Sequence, residues 1–99
     1  EQLLLSALSS CHMLTFLAVA AKKKLVVASY TDQPVGHLEK NAEGRIAVTR
    51  IELRPVVAFG ADTTVSAEEL RRLHDSAHRN CFIANSIKAE VTVVEPAGG

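Results

Sequence analysis

The first 24 residues, EQLLLSALSSCHMLTFLAVAAKKK, constrain the fold more than any other stretch of this chain. Leu4, Leu8, Cys11, Thr15 and Ala18 fall on one helical stripe, and Leu3, Leu14 and Leu17 widen it until little of the helix is plainly polar. A helix of that kind belongs at the centre of a core or an interface. Lys22, Lys23 and Lys24 then read as its solvated end, favourably placed at the negative pole of the helix dipole. Ala18-Val19-Ala20 resembles the cleavage site of a secretory leader, but the run starts at Glu1 without a basic leader, and Ser6, Ser9, Ser10, His12 and Thr15 interrupt it. A membrane span needs about 20 mostly apolar residues and would set His12 near the middle of the bilayer. Neither secretion nor membrane insertion is expected. The chain opens without Met, directly in helical sequence, which predicts upstream residues that have been removed or belong to a longer protein.

The remainder reads as strands and shorter helices. LVVASYT (25–31) is rich in β-branched and aromatic residues and predicts a strand, closed by the turn Asp32-Gln33-Pro34. VGHLEKN predicts a weaker, exposed strand ending near Asn41 to Gly44. In RIAVTRIELRPVVAF the apolar positions change parity after Val48, which points to a bulge or strong twist, and Pro55 marks an edge or a break. Ser66 and Glu69 form a capping box, and Leu70, Leu73, His74, Ala77 and Cys81 recur at helical spacing, so a second helix should run from about Ala67 to near Asn80. Another helical turn or two over 82–88 and a short strand stopped by Pro96 complete the order: helix, three strands, helix, short helix, strand. With no repeat and no linker, residues 1–99 predict one α+β domain. At 99 residues and 47% hydrophobic composition its core is modest, so a partner subunit would add needed surface.

Lys and Arg number 11, as do Asp and Glu, so no net field draws the chain to nucleic acid or an anionic membrane, and the low aromatic content disfavours base stacking. No phosphate-binding loop is formed by Gly36, Gly44 and Gly60, and no nucleophile elbow or Ser-His-Asp spacing supports acyl transfer. Asp75, Ser76 and His78 are spaced for surface hydrogen bonds. Chemistry therefore rests on Cys11 and Cys81, the only cysteines. Cys11, inside an apolar helix, reads plainly as an inert core residue. Cys81 has another option, since Asn80 can cap a new helix whose first turn holds the thiol near free amides that favour a thiolate. A separated pair of thiols is what a peroxide-reducing centre needs, because the second thiol converts a sulfenic acid to a disulfide before overoxidation. The competing arrangement is zinc, with His78-x-x-Cys81 joined by Cys11, His12 and His74, although no CxxC or HExxH motif reinforces it.

EQLLLSALSSCHMLTF followed by AHRNCFIANSIKAEV resembles the OsmC/Ohr family of thiol-dependent hydroperoxide reductases, in its general OsmC-like branch, over nearly the whole chain. The resemblance implies an OsmC-like fold with a long central helix, an antiparallel sheet and a second cysteine-bearing helical segment. It implies a two-cysteine peroxidase in which Cys11 is the peroxidatic thiol and Cys81 the resolving one. Glu1 matches a glutamate that precedes the first cysteine by ten residues and that, in organic hydroperoxide reductases, orients an arginine beside the thiolate. That arginine comes from amino-terminal strands this chain does not contain, so the expectation is a truncated domain or a relative without the complete site. Where the family has Cys-Pro at the second motif, this chain has Cys81-Phe82. Also implied are an intertwined cytoplasmic homodimer with a site at the subunit interface, an organic hydroperoxide substrate, and a dithiol reductant of the lipoylated-protein kind. No cofactor, metal, nucleic acid or membrane partner is implied. Leu5, Leu8, Met13, Leu14 and Phe16 would supply the apolar surroundings of Cys11. The alternative is a noncatalytic stress protein that binds a small hydrophobic ligand or serves a structural role.

Overall fold

The computed structural model describes residues 2–94. Its order is α1 (Gln2–Lys22), β1 (Val27–Thr31), β2 (Val35–Lys40), β3 (Ile46–Leu53), β4 (Val56–Phe59), α2 (Ala67–Asn80), α3 (Phe82–Ser86) and β5 (Glu90–Val93). The α+β class and the long central helix are as the sequence predicts, but four strands separate the two main helices where three were expected. The cause is Pro55. It is fully buried and has no N–H for a ladder, so the chain leaves one sheet at Leu53 and enters the other at Val56. β4 pairs antiparallel with β1, whereas β3 lies between β2 and β5. The second sheet is mixed rather than antiparallel, because β5 returns through α2 and α3 and runs parallel to β3, from Arg50 beside Glu90 to Leu53 beside Val93. The closing strand's expected stop at Pro96 lies outside the described residues.

The parity change in β3 has the predicted origin. His37 faces Arg50 and Leu38 faces Val48, so Thr49 is the extra residue of a β-bulge. The bulge lets Val48 and Ile51, three residues apart, both turn toward the same apolar cluster. Asp32 fastens the crossover: its carboxylate accepts the Arg54 N–H at 2.7 Å and the Ser9 hydroxyl at 2.5 Å. One side chain in the β1–β2 turn thereby links α1 to the point where the chain changes sheets.

The helix α1 is long and apolar enough to cross a membrane by composition, yet it carries core residues along its length. Its buried residues are Leu8, Cys11, His12, Phe16 and Ala20, a face rotated from the predicted one, since Thr15 is only half-buried and Ala18 exposed. Phe16 buries far more apolar surface than Thr15 or Ala18 could, and so sets the phase of the helix. The N-terminal half packs Leu8 and Cys11 with Ile51, Leu53 and Cys81, while Phe16 packs with Leu73 and Ala77 of α2 in a second cluster. α2 begins as its capping box predicts, with Ser66 Oγ accepting the Glu69 N–H at 3.1 Å.

The end of α1 is a Schellman arrangement: the Leu25 N–H reaches the Ala20 carbonyl at 2.9 Å and the Lys24 N–H that of Ala21 at 3.0 Å. This requires Lys24 to take a left-handed conformation, φ 59°, which costs any residue with a Cβ. Replacing Lys24 by Gly should therefore raise the unfolding free energy by about 0.5–1 kcal/mol, read from urea denaturation. An unchanged or lowered midpoint would contradict the assignment.

Candidate active site

Cys11 and Cys81, 70 residues apart in sequence, meet in one apolar cluster with Leu8, Ile51 and Leu53. Both thiols are free; Cys11 retains 8% exposure and Cys81 none. α1 delivers Cys11 on its buried face, and the apolar stripe of α2 runs through Leu73 and Ala77 to end at Cys81. Of the residues expected around Cys11, Leu5 and Leu8 belong to its cluster, Leu14 is 62% exposed, and Phe16 sits in the other cluster. Glu1, the third expected site residue, lies outside the described residues.

The joint at Cys81 differs from the sequence expectation. Asn80 does not cap a new helix; it ends α2 and donates its side-chain amide to the Ser76 carbonyl at 2.8 Å. Cys81 itself is the hinge, extended at φ −80° and ψ 105°, closing α2 and preceding α3. That extended residue redirects the chain and aims the first amides of α3 at Cys11. Burial pushes the Cys11 thiol up, but hydrogen bonds from the Cys81 side chain, the Ile83 N–H, the Thr15 hydroxyl and the Phe82 N–H outweigh it, and the net shift is downward. Cys81 moves the other way, raised by burial and by its bond to Cys11 against weaker help from the amides of Ala84 and Ile83. The two thiols are thus differentiated: Cys11 is the better thiolate and Cys81 the proton-bearing donor beside it. The groups lowering Cys11 are dipolar donors; none is a cation.

Next to Cys11, the buried His12 ring meets His74 edge to edge, Nε2 to Nδ1 at 3.0 Å with ring planes 10° apart. Phe16 packs on His74 at a centroid distance of 4.6 Å. Burial, followed by the proximity of His74 and His78, lowers the His12 value to about 4, so His12 joins α1 to α2 as a neutral imidazole. The sequence offers His12 and His74 together only as zinc candidates, and the sign of their pairing is that both fall on otherwise apolar faces. Among the described residues no three His, Cys, Asp or Glu side chains converge to hold a metal, so the zinc arrangement finds no support in the geometry. The sequence places the free amides of this turn at Cys81, whereas those of Phe82 and Ile83 lower Cys11 and Cys81 is raised on balance.

The family model for OsmC-like proteins matches residues 1–95. The chain belongs to the OsmC-like family. An OsmC-like protein of unknown function from Vibrio cholerae superposes with a TM-score of 0.94 at 47% identity, covering 97% of this chain and 62% of that one. Two organic hydroperoxide resistance proteins share the fold: one from Elizabethkingia anophelis at TM-score 0.76 and 21% identity, covering 97% of this chain and 67% of that one, and OhrB of Bacillus subtilis at 0.78 and 18%, covering 97% and 68%. This OsmC-like chain therefore spans less than two thirds of the length of its Vibrio cholerae relative. A comparison with curated proteins returned no match.

Two outcomes follow from this OsmC-like site. Because His12 has a folded value of about 4 against about 6.5 when unfolded, the unfolded chain binds the extra proton between those values. Stability should then fall as pH drops from about 6.5 toward 4, by on the order of 2–3 kcal/mol, and urea midpoints across that range should show a weaker pH dependence in His12→Gln. Phe82→Pro removes one amide directed at Cys11, so the Cys11 thiol value should rise and its alkylation by iodoacetamide at neutral pH should slow a few fold. Equal alkylation rates would mean that this amide does not stabilise the thiolate.

Proposed function

We propose that this chain carries the two-cysteine centre of a thiol-dependent peroxidase that reduces organic hydroperoxides to alcohols. The observation that carries the reading is the contact between a thiol shifted toward its thiolate, Cys11, and a proton-bearing thiol, Cys81, in one apolar cluster. Cys11 thiolate attacks the terminal oxygen of the peroxide, the O–O bond breaks, and the alkoxide leaves to take a proton and become an alcohol. Cys11 is then a sulfenic acid. The Cys81 sulfur attacks the Cys11 sulfur, an S–S bond forms, and the departing hydroxide takes the Cys81 proton to leave as water. An external dithiol returns both thiols and is itself oxidised to a disulfide. Apolar walls from Leu4, Leu5, Leu8 and Ile83 favour an organic peroxide over hydrogen peroxide.

The same reading includes a homodimer, a dithiol reductant of the lipoylated-protein kind, and a cytoplasmic setting in which free thiols persist. Support for a second copy is the apolar surface near the site, with Leu3 86% and Phe82 70% exposed. The organic hydroperoxide resistance proteins that share the fold supply the substrate class. Glu1 is assigned the role of orienting a cation at Cys11 supplied from residues upstream.

The test is intact mass and thiol count before and after one equivalent of cumene hydroperoxide, on the full-length gene product and on this 99-residue chain. A loss of two hydrogens and a Cys11–Cys81 linkage by peptide mapping is the expected result. Cys11→Ser should abolish turnover, and Cys81→Ser should stop the cycle at the sulfenic acid after a single turnover. Peroxidase activity surviving in Cys11→Ser would overturn the assignment, and thiols unchanged by peroxide would move the protein to the noncatalytic ligand-binding class.

A further inference from the structure

The Cys11 sulfur meets hydrogen-bond donors from two directions. Burial disfavours its charge, and against burial act the Cys81 side chain, the Ile83 N–H, the Thr15 hydroxyl and the Phe82 N–H. Of these donors Thr15 alone stands on α1, one turn after the cysteine, while the others come with the joint between α2 and α3. Helical geometry puts it there, since each Cα–Cβ bond tilts toward the N-terminus and the side chain at i+4 lies against that at i. Thr15 Oγ1 donates to the Cys11 carbonyl at 2.8 Å and lies within reach of the Cys11 sulfur as well. A hydroxyl has one proton, so it serves one acceptor at a time. The carbonyl can release it: inside α1 that oxygen already accepts the ladder N–H of Thr15, and only its second lone pair is vacated.

We propose that Thr15 is a switchable donor whose hydroxyl turns from the Cys11 carbonyl to the Cys11 sulfur as the thiol becomes a thiolate, and turns back when the sulfur is neutral again. The motion is a rotation of one O–H bond. A charge-assisted bond to the thiolate is stronger than a neutral one to a carbonyl, which drives the turn, and a neutral sulfur is a weak acceptor, which reverses it. The other donors lack this freedom: the two amides are fixed in the backbone, and the Cys81 proton is given up when that sulfur forms the disulfide. Nothing packed on Cys11 opposes the exchange. Among the described residues β3 contributes Ile51 and Leu53, β5 Val91 and Val93, α3 Ile83 and the α2–α3 joint Cys81, while His12 of α1 is engaged with His74 of α2; none of these places a fixed charge at the sulfur. As a catalytic residue Thr15 rests on the peroxidase reading; as a donor it acts on the sulfur whatever electrophile arrives.

The test uses the full-length protein, with Thr15→Val to remove the hydroxyl at nearly the same shape and Thr15→Ser to keep it. The rate of Cys11 alkylation by iodoacetamide, read by peptide mapping, is followed from acid to alkaline pH. In Thr15→Val the midpoint should rise by about one pH unit. Below it alkylation should slow about threefold and above it quicken about threefold, because a sulfur relieved of a hydrogen bond is more basic and the more basic thiolate is the better nucleophile. The two profiles therefore cross. Thr15→Ser should bring the midpoint back to that of the parent protein. A fall of equal size at every pH marks a packing defect and would overturn the switch, as would profiles that superpose. The kcat/KM for cumene hydroperoxide is then measured over the same range. A matching crossover would establish Thr15 as a catalytic residue, and identical peroxide profiles beside crossed alkylation profiles would refute that role. Crossed alkylation profiles with no peroxide reduced by any of the proteins would support the donor and refute the peroxidase reading.

Discussion

The burial of α1 is the constraint on which the rest of this structure depends. A helix apolar on nearly every side calls for cover from several elements, and its buried residues run from Leu8 to Ala20. The fold divides the work between two clusters. The mixed sheet and α3 take Leu8 and Cys11, and α2 with the β1–β4 pair takes Phe16. The crossover at Pro55 and the ties through Asp32 follow from this division, since one run of chain must serve both sheets and stay registered to the same helix.

The candidate site lies where that division falls. Cys11 belongs to the first cluster, and Phe16, little more than one turn further on, to the second; between them His12 reaches His74. A buried polar pair in this position costs desolvation that an apolar pair would not, but its contact of Nε2 with Nδ1 at 3.0 Å constrains the relative rotation of α1 and α2. That rotation sets where the end of α2, and therefore Cys81, falls against Cys11. The different tendencies of the two thiols then come from local backbone: an extended Cys81 points the amides of Phe82 and Ile83 toward Cys11.

How much of this could be read from residues alone varied with the kind of interaction. The helices were legible because Ser66 and Glu69 cap α2 and apolar spacing persists to Cys81, and the bulge at Thr49 was legible because side-chain parity is strict in a strand. The family was legible through the wording around the two cysteines. What the residues hid was tertiary. Pro55 announced a break without saying that the next strand would join a different sheet, and nothing local to β5 reveals that it pairs parallel with β3. The phase of α1 was read from its lighter side chains, Thr15 and Ala18, and decided by Phe16. Asn80 looked like a cap and proved to be the last residue of α2, with its side chain turned back on Ser76.

The parallel pairing of β3 with β5 has a consequence for the order of assembly. Antiparallel neighbours such as β2 and β3 close through a short turn, but β5 can dock only after α2 and α3 have crossed the sheet, a long-range closure that is entropically slow. Cys11 lies on α1, and Cys81 is carried by this late-closing segment. During folding the first cysteine waits, unaccompanied, for the second. The paired thiols are thus a product of the last topological step, and a change in the docking of β5 can disturb them without touching either sulfur.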